Sequence, residues 1–477
     1  MTSPTVRPGE TCWRLARAGR AAVLVDAEEY FAALREALEK AHHSILLVGW
    51  DFDPRTELAP NADGSPSTTE IGALLQRLAT SRPRLRIHLL IWDMVLPISI
   101  LHFGYPQRSR AWFDERIDFE LDGAHPTGAC HHQKLVIIDD RIAFCGGTDL
   151  ATDRWDTTEH QDANPRRRLP SGQPHPPRHD LMMMVDGEAA RVLGELARRR
   201  WRSATGTVLP APATPAMDVW PAHCVPRFTR VDVAIARTQP AYDGQPALIE
   251  NLHLHLDSIA SATRLVYLEN QYIVAPEIER ALAARLREAE GPEIVIICGS
   301  HSPSYFDRIA IDDAQHRLLQ SLRNADRFNR FRAFTPMTAG GEAIIVHSKV
   351  SIIDDRLLRI GSTNLNNRSL GFDTECDLAI DADAQEPMAG ESIAMTIAEV
   401  RNGLIAHHLA VPASDFATAL VRCGRFIETI ESFSSARLRP ILVPAPTPED
   451  SPIRSLIAEY HVGDPRGVDD AWRPWKR

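Results

Sequence analysis

The amino-acid sequence predicts an α/β protein with a mixed sheet, and three observations predict it. Apolar runs of strand length alternate with amphipathic segments of helical period, the pattern of βαβ units. The order of these segments is the same in both halves of the chain. Each half also carries one copy of the pattern H-x-K-x4-D, as His132-Gln133-Lys134 with Asp139 and as His347-Ser348-Lys349 with Asp354.

In the first half, Glu28 to Ala41 has apolar residues at helical spacing, and Ile45 to Asp51 follows as a buried strand ending in polar residues. The second half answers with a helix from Ala247 to Ala262 and a strand from Leu265 to Tyr272. The next helices, Thr69 to Thr80 and Pro276 to Glu288, lead to strands at Leu85 to Asp93 and Glu293 to Gly299. Parallel strands are apolar throughout because helices cover both faces. Functional residues then gather beyond the strands' carboxyl ends, where Trp50-Asp51, Trp92-Asp93 and Glu269-Asn270-Gln271 lie. The motif strand closes each half, and its Asp139-Asp140-Arg141 or Asp354-Asp355-Arg356 stretch has the chemistry of a hairpin turn.

Four segments are expected: an N-terminal extension over 1–24, a first half over 25–210, a second over 222–410, and a helical, Pro-rich tail over 411–477. Thr205 to Pro221, rich in Pro and Ala, separates the halves. Arg166 to Pro177 reads as an exposed loop. The chain after about Ser435 reads as an irregular surface wrap, ending at the tryptophan-basic Trp472 to Arg477.

The 477 residues exceed one ordinary core, and 44% hydrophobic with 24% charged residues is the balance of a globular enzyme. A net charge of -10 argues against a dedicated nucleic-acid binder, although Lys134, Lys349, Arg154 and Arg368 can still make a locally cationic phosphate site. Seven cysteines without a C-x-x-C pair read as reduced thiols, which predicts a cytoplasmic chain. No signal-peptide pattern opens the sequence. No apolar stretch reaches the roughly 20 residues of a bilayer span, Met94 to Phe103 coming nearest, so membrane contact is expected to be peripheral.

A single H-x-K-x4-D is weak evidence, but the duplication extends past the motif. The displacement that carries His132 to His347 also carries Gly146 to Gly361, Gly147 to Ser362 and Asp149 to Asn364. Two histidines facing a phosphodiester divide two tasks: one attacks phosphorus, and the other protonates the leaving alcohol. On H-x-K spacing in a strand, each lysine shares its histidine's face and reaches the phosphoryl oxygens. Asp139 and Asp354 fall at the turn, an odd number of residues from their lysines, and read as structural. A metal site from His131, His132 and Asp139 has no supporting ligand pattern, and Met182-Met183-Met184 reads as core.

These residues resemble the phospholipase D superfamily, whose mark is the duplicated H-x-K-x4-D motif. The resemblance runs from about Val25 to about Leu409 and is closest to the phospholipid-acting, bacterial-type branch. It is carried by Gly146 to Leu150, Arg154 to Thr157, His179-Asp180, Glu269 to Tyr272 and Gly361 to Ser369. It implies a pseudo-twofold duplicated α/β/α sandwich with one active site between the halves. It implies catalytic His132, Lys134, Asp139, His347, Lys349 and Asp354, with His132 as nucleophile and His347 as general acid and base. Lys134, Lys349, Asn364, Ser362 and Gly147 would bind the phosphoryl group. Asp180 would orient His132, and Glu375 would orient His347. Gly147 and Asp149 depart from the family's usual Ser and Asn, so Asp149 is expected to pair with an arginine or contact a histidine.

The activity expected from the resemblance is cleavage or transfer of the distal phosphodiester of a glycerophospholipid at a membrane surface, with water or a small alcohol as acceptor. The expected chemistry uses no metal and no cofactor. Cardiolipin-synthase-type transfer is the alternative, and a nuclease or a non-catalytic lipid binder are further readings.

Overall fold

In the computed structural model, the described residues are 4–94, 106–212, 218–301, 311–442 and 464–467. All but two of their strands form one 16-stranded mixed sheet, and Arg178–His179 and Ile345–Val346 make a separate two-stranded one. From one edge inward, the first half contributes Ile117–Asp122, Arg86–Trp92, Ser44–Gly49, Leu135–Ile138, Ile142–Gly146, Leu181–Asp186 and Arg14–Val25. The second half continues outward with Phe228–Gln239, Glu375–Asp381, Leu357–Gly361, Val350–Ile353, Leu265–Glu269, Glu293–Ile297 and Phe331–Pro336. The order is mirrored about the centre, which is the duplication in three dimensions.

The centre corrects the expected extension over 1–24. Arg14–Val25 is a strand, paired antiparallel to both Phe228–Gln239 and Leu181–Asp186. Its buried positions, Ala16 and Ala18 among them, are small enough to lie under a helix. The outer strands of the first half, Ser44–Gly49, Arg86–Trp92 and Ile117–Asp122, are parallel, and the motif strand Leu135–Ile138 adds antiparallel.

Helices cover both faces. Gly187–Thr205 and Pro387–Leu409 pack on one apolar layer that runs through both halves. On the other face, Asp26–Glu39 and Ile71–Ser81 cover the first half, and Glu250–Ser261, Pro276–Arg287 and Asp313–Ala325 cover the second. Gly187–Thr205 shows why such a segment is helical and where it stops. Leu193, Leu196, Ala197 and Trp201 repeat on one buried face, and Gly206 ends the helix at φ 73°. Burying each large side chain contributes about 1.5 to 3 kcal/mol, so Leu193→Asp would undock this helix.

The motif strands turn as expected, with Ile138 paired to Ile142 and Ile353 to Leu357. Asp139, Asp140 and Asp354 adopt left-handed φ near 53°, which a short polar side chain tolerates. Two surface expectations change. In the loop Arg166 to Pro177, Arg167 and His175 are buried, and Arg167 pairs with Asp156 at 3.2 Å. In the tail, Leu438–Pro440 is an edge strand on Phe331–Pro336, where a proline is compatible with pairing. Trp472 to Arg477 lies outside the described residues, as do most of Met94 to Phe103 and most of His301 to Asp307. Met182, Met183 and Met184 are core, and all seven cysteines are free thiols. Among the described residues no single helix is long and apolar enough to cross a membrane.

Candidate active site

The two H-x-K segments enter their strands side by side with the opposite half of the chain. His131 bridges Thr374, and the N–H of His132 donates to the carbonyl of Thr374 at 2.9 Å. In the symmetric arrangement, Ile345–Val346 pairs parallel to Arg178–His179, and the N–H of His347 donates to the carbonyl of His179 at 2.8 Å. Each motif therefore lies beside the residue preceding the other half's carboxylate.

This pairing crosses the orienting carboxylates, contrary to the expectation that Asp180 serves His132 and Glu375 serves His347. Nδ1 of His132 is 3.0 Å from both oxygens of Glu375 and 3.1 Å from the carbonyl of Ser362. Nδ1 of His347 is 2.7 Å from Asp180. With Nδ1 engaged, Nε2 of each ring is left for chemistry. Burial holds both imidazoles well below their ordinary pKa, helped at His132 by Lys134 and Lys349. At His347 the further cations are Lys349, Arg178, Arg154 and Lys134. Burial pushes the Asp180 carboxyl up to about 6 and Glu375 well above its usual range.

The phosphate-binding candidates separate into two groups. Lys134 and Lys349 are buried, and their Nζ atoms donate to the carbonyls of His132 and His347. Burial lowers the Lys349 ammonium to about 7, and it also donates to Oε1 of Gln271 at 3.2 Å. Asn364 is buried, with an Oδ1 that has no hydrogen bond among the described residues. Ser362 and Gly147 belong instead to the carboxylates. The Ser362 hydroxyl donates to Glu375 at 2.5 Å. A Cβ on Gly147 would lie 2.1 Å from Oδ1 of Asp180, so glycine makes room for that carboxylate.

Among the described residues Asp149 meets neither an arginine nor a histidine as its hydrogen-bonding partner. It pairs with Lys134 at 3.0 Å and accepts the backbone N–H groups of Trp50 and Asp51 at 3.0 and 3.2 Å. Asp139 and Asp354 do not belong to the catalytic group. They sit at the far ends of the motif strands, where Asp139 accepts the N–H groups of His42, His43 and Ser44, and Asp354 those of Thr263, Arg264 and Leu265. His131, His132 and Asp139 accordingly make no common site. Arg368 is held by Asp373 at 2.8 Å.

Trp50, Trp92 and Glu269 lie at the strand ends where functional residues are expected, whereas Asp26, Ser348 and His408 carry no readable signal in the sequence. Trp50 stacks on Trp92 at 5.8 Å and presents its ring to His132 and Lys134, which makes an apolar wall beside His132. Behind His347, His179 joins Asp26 at 2.8 Å to Glu269 at 3.0 Å, and Glu269 also accepts from Ser348 and His408. The pattern His179-Asp180 marks this segment, but nothing in the spacing shows what it touches.

Residues 37–278 match the family described as Phospholipase D, and residues 256–391 match the one described as Cardiolipin synthase, PLD-like domain. The chain belongs to the phospholipase D superfamily. Among relatives of this superfamily, Phospholipase D A of Dictyostelium discoideum is 26% identical over 424 residues, covering 74% of this chain and 32% of that protein. Phospholipase D1 of Saccharomyces cerevisiae is 25% identical over 454 residues, covering 75% of this chain and 26% of that one. The chain thus spans about a third or less of these relatives' length. A phosphatidylserine synthase of Haemophilus influenzae Rd KW20 shares the fold, with a TM-score of 0.56 at 13% identity, covering 94% of this chain and 95% of that one. The duplicated α/β/α sandwich is the fold of this phospholipase D superfamily member.

Proposed function

We propose that this chain is a phospholipase D or transphosphatidylase, which cleaves the distal phosphodiester of a glycerophospholipid or passes the phosphatidyl group to an alcohol. The observation that carries the reading is the pair of buried histidines, each with Nδ1 on a carboxylate of the other half and a lysine two residues on. In the first step Nε2 of His132 attacks phosphorus, and His347 gives its Nε2 proton to the leaving alcohol. The P–O bond breaks as the P–N bond forms. In the second step His347 takes a proton from water or an alcohol, whose oxygen displaces His132. Phosphatidic acid or a phosphatidyl alcohol results. Lys134, Lys349 and Asn364 hold the phosphoryl oxygens, and such positioned donors contribute about 3 to 4 kcal/mol each in comparable sites.

Similarity to the domain described as cardiolipin synthase favours a second reading, in which phosphatidylglycerol is the donor and a lipid alcohol the acceptor. Vesicles of phosphatidylcholine with ethanol distinguish the two. Choline release with phosphatidylethanol formation supports the first, and product from phosphatidylglycerol alone supports the second. Cleavage of DNA without turnover of any lipid would overturn both.

A further inference from the structure

Behind the acid histidine, three side chains from distant parts of the chain aim their ligand atoms at one point. Nε2 of His160 and Nε2 of His407 are 3.1 Å apart. Oδ2 of Asp26 lies 3.5 Å from the first and 3.7 Å from the second. These separations bracket about 3.3 Å, the edge of a tetrahedron around a zinc ion with bonds of about 2.0 to 2.1 Å.

Two details point to a ligand at that point. Oδ2 of Asp26 is buried and accepts no hydrogen bond among the described residues, which is costly for a carboxylate oxygen unless something else meets it. His160 is already oriented as a ligand: its Nδ1 is 2.9 Å from Oδ2 of Asp156, and Arg167 pairs with that carboxylate. A carboxylate behind the non-ligating nitrogen fixes the tautomer with a lone pair on Nε2, the usual support of a metal-binding histidine. The His407 side chain is 12% exposed and gives an ion a way in.

We propose that Asp26, His160 and His407 bind one divalent transition-metal ion, with Zn2+ the best match to their donor set and spacing. The ion has a mechanical consequence. His407 ends the long helix Pro387–Leu409 of the second half, whereas Asp26 begins the first helix of the first half and His160 lies in its loop. The ion therefore ties the halves together. The other oxygen of Asp26 accepts from Nδ1 of His179 at 2.8 Å and from the N–H of Asp180 at 3.1 Å, so the tie also holds the segment whose Asp180 orients His347. The proposal concerns donors outside the phosphate-binding lysines and does not depend on which phosphodiester is cleaved.

The test is the metal content and melting temperature of the full-length chain, stripped with a chelator, given ZnCl2 or CoCl2, and desalted. Wild type should retain about one ion per chain, melt higher with ZnCl2, and give the d–d absorption of four-coordinate Co2+. His160→Gln and His407→Gln, checked by circular dichroism, should lose the ion. Asp156→Asn should weaken binding by about 10- to 100-fold while leaving the three ligands in place. Zinc retained equally by the folded ligand variants would overturn the assignment. A wild-type chain that holds no zinc and does not change its melting temperature would overturn it without any variant. In that case Nε2 of His407 simply donates to His160.

Discussion

On the proposed mechanism the crossing of the carboxylates assigns each to one chemical step, and a substrate with an acidic leaving group separates the steps. Glu375→Gln keeps the shape of the side chain and removes the ionisable group that lies 3.0 Å from Nδ1 of His132, whose charged form burial disfavours until a positive ring faces it. Positive charge develops on that ring as Nε2 bonds phosphorus, so the loss falls mainly on the transition state. A hydrogen bond to an ionised group contributes about 1.5 to 3 kcal/mol, which lowers the first-turnover rate by about 10- to 150-fold. Asp180→Asn, at 2.7 Å from Nδ1 of His347, should cause a similar loss with phosphatidylcholine, whose leaving alcohol needs a proton. The assay is a rapid-quench burst with phosphatidylcholine and with its p-nitrophenyl counterpart. The nitrophenolate departs without a proton, so Asp180→Asn should recover to within about threefold of wild type, whereas Glu375→Gln should stay impaired. Recovery of Glu375→Gln instead, or of both variants equally, would refute the assignment of Glu375 to the nucleophile and Asp180 to the acid.

Further outcomes follow from the same geometry. Gly147→Ser introduces a Cβ 2.1 Å from Asp180, and turnover should fall by about 100-fold while Ser362→Gly loses only about tenfold; steady-state kinetics of both variants check the order. Asp139→Ala and Asp354→Ala strip the acceptor from three backbone donors each, so urea denaturation should show roughly 2 to 4 kcal/mol less stability with turnover per folded molecule nearly unchanged. Lys349 carries an ammonium lowered to about 7, so its proton is lost as pH rises through 7, and affinity for a phosphodiester analogue of constant charge should fall over that range. Lys349→Arg should flatten the profile, as calorimetric titration at pH 6 and 9 would show, and an equally steep profile in that variant would place the titration elsewhere. Proton NMR of the histidine ring signals should find His132 and His347 titrating below 6.5 in the free chain and moving upward when the analogue binds.

Much of the fold is legible because apolar period and turn chemistry are local properties. The helices at Asp26–Glu39 and Pro276–Arg287 and the strands at Arg86–Trp92 and Glu293–Ile297 fall where the spacing puts them. Arg14–Val25 escapes the same reading because its inward residues include small alanines and the strand shares no text with its symmetric partner Phe228–Gln239. The site is legible in its residues but not in its pairings. Each carboxylate follows its motif in an equivalent position, so sequence symmetry permits pairing within a half or across halves. The backbone bonds from His132 to Thr374 and from His347 to His179 decide for crossing. Asp26, His160 and His407 are remoter still, since three separate elements bring them together and no spacing rule connects them.

The free site is electrostatically lopsided, and that bears on the proposal that its two similar histidines take different roles. Asp149 lies against Lys134, so one lysine is already matched by an internal anion, while its counterpart Asn364 brings no charge. Lys349 keeps its proton only weakly near neutrality. His347 faces Lys349, Arg178, Arg154 and Lys134, all of which oppose the protonation an acid requires. A phosphodiester entering this group adds negative charge beside these cations. It should therefore raise the pKa of Lys349 and of both histidines, and of His347 above all, which faces the larger set of cations. On the proposed mechanism the acid is thereby loaded by the substrate itself, since the bound phosphodiester offsets the cations that hold His347 neutral in the free chain.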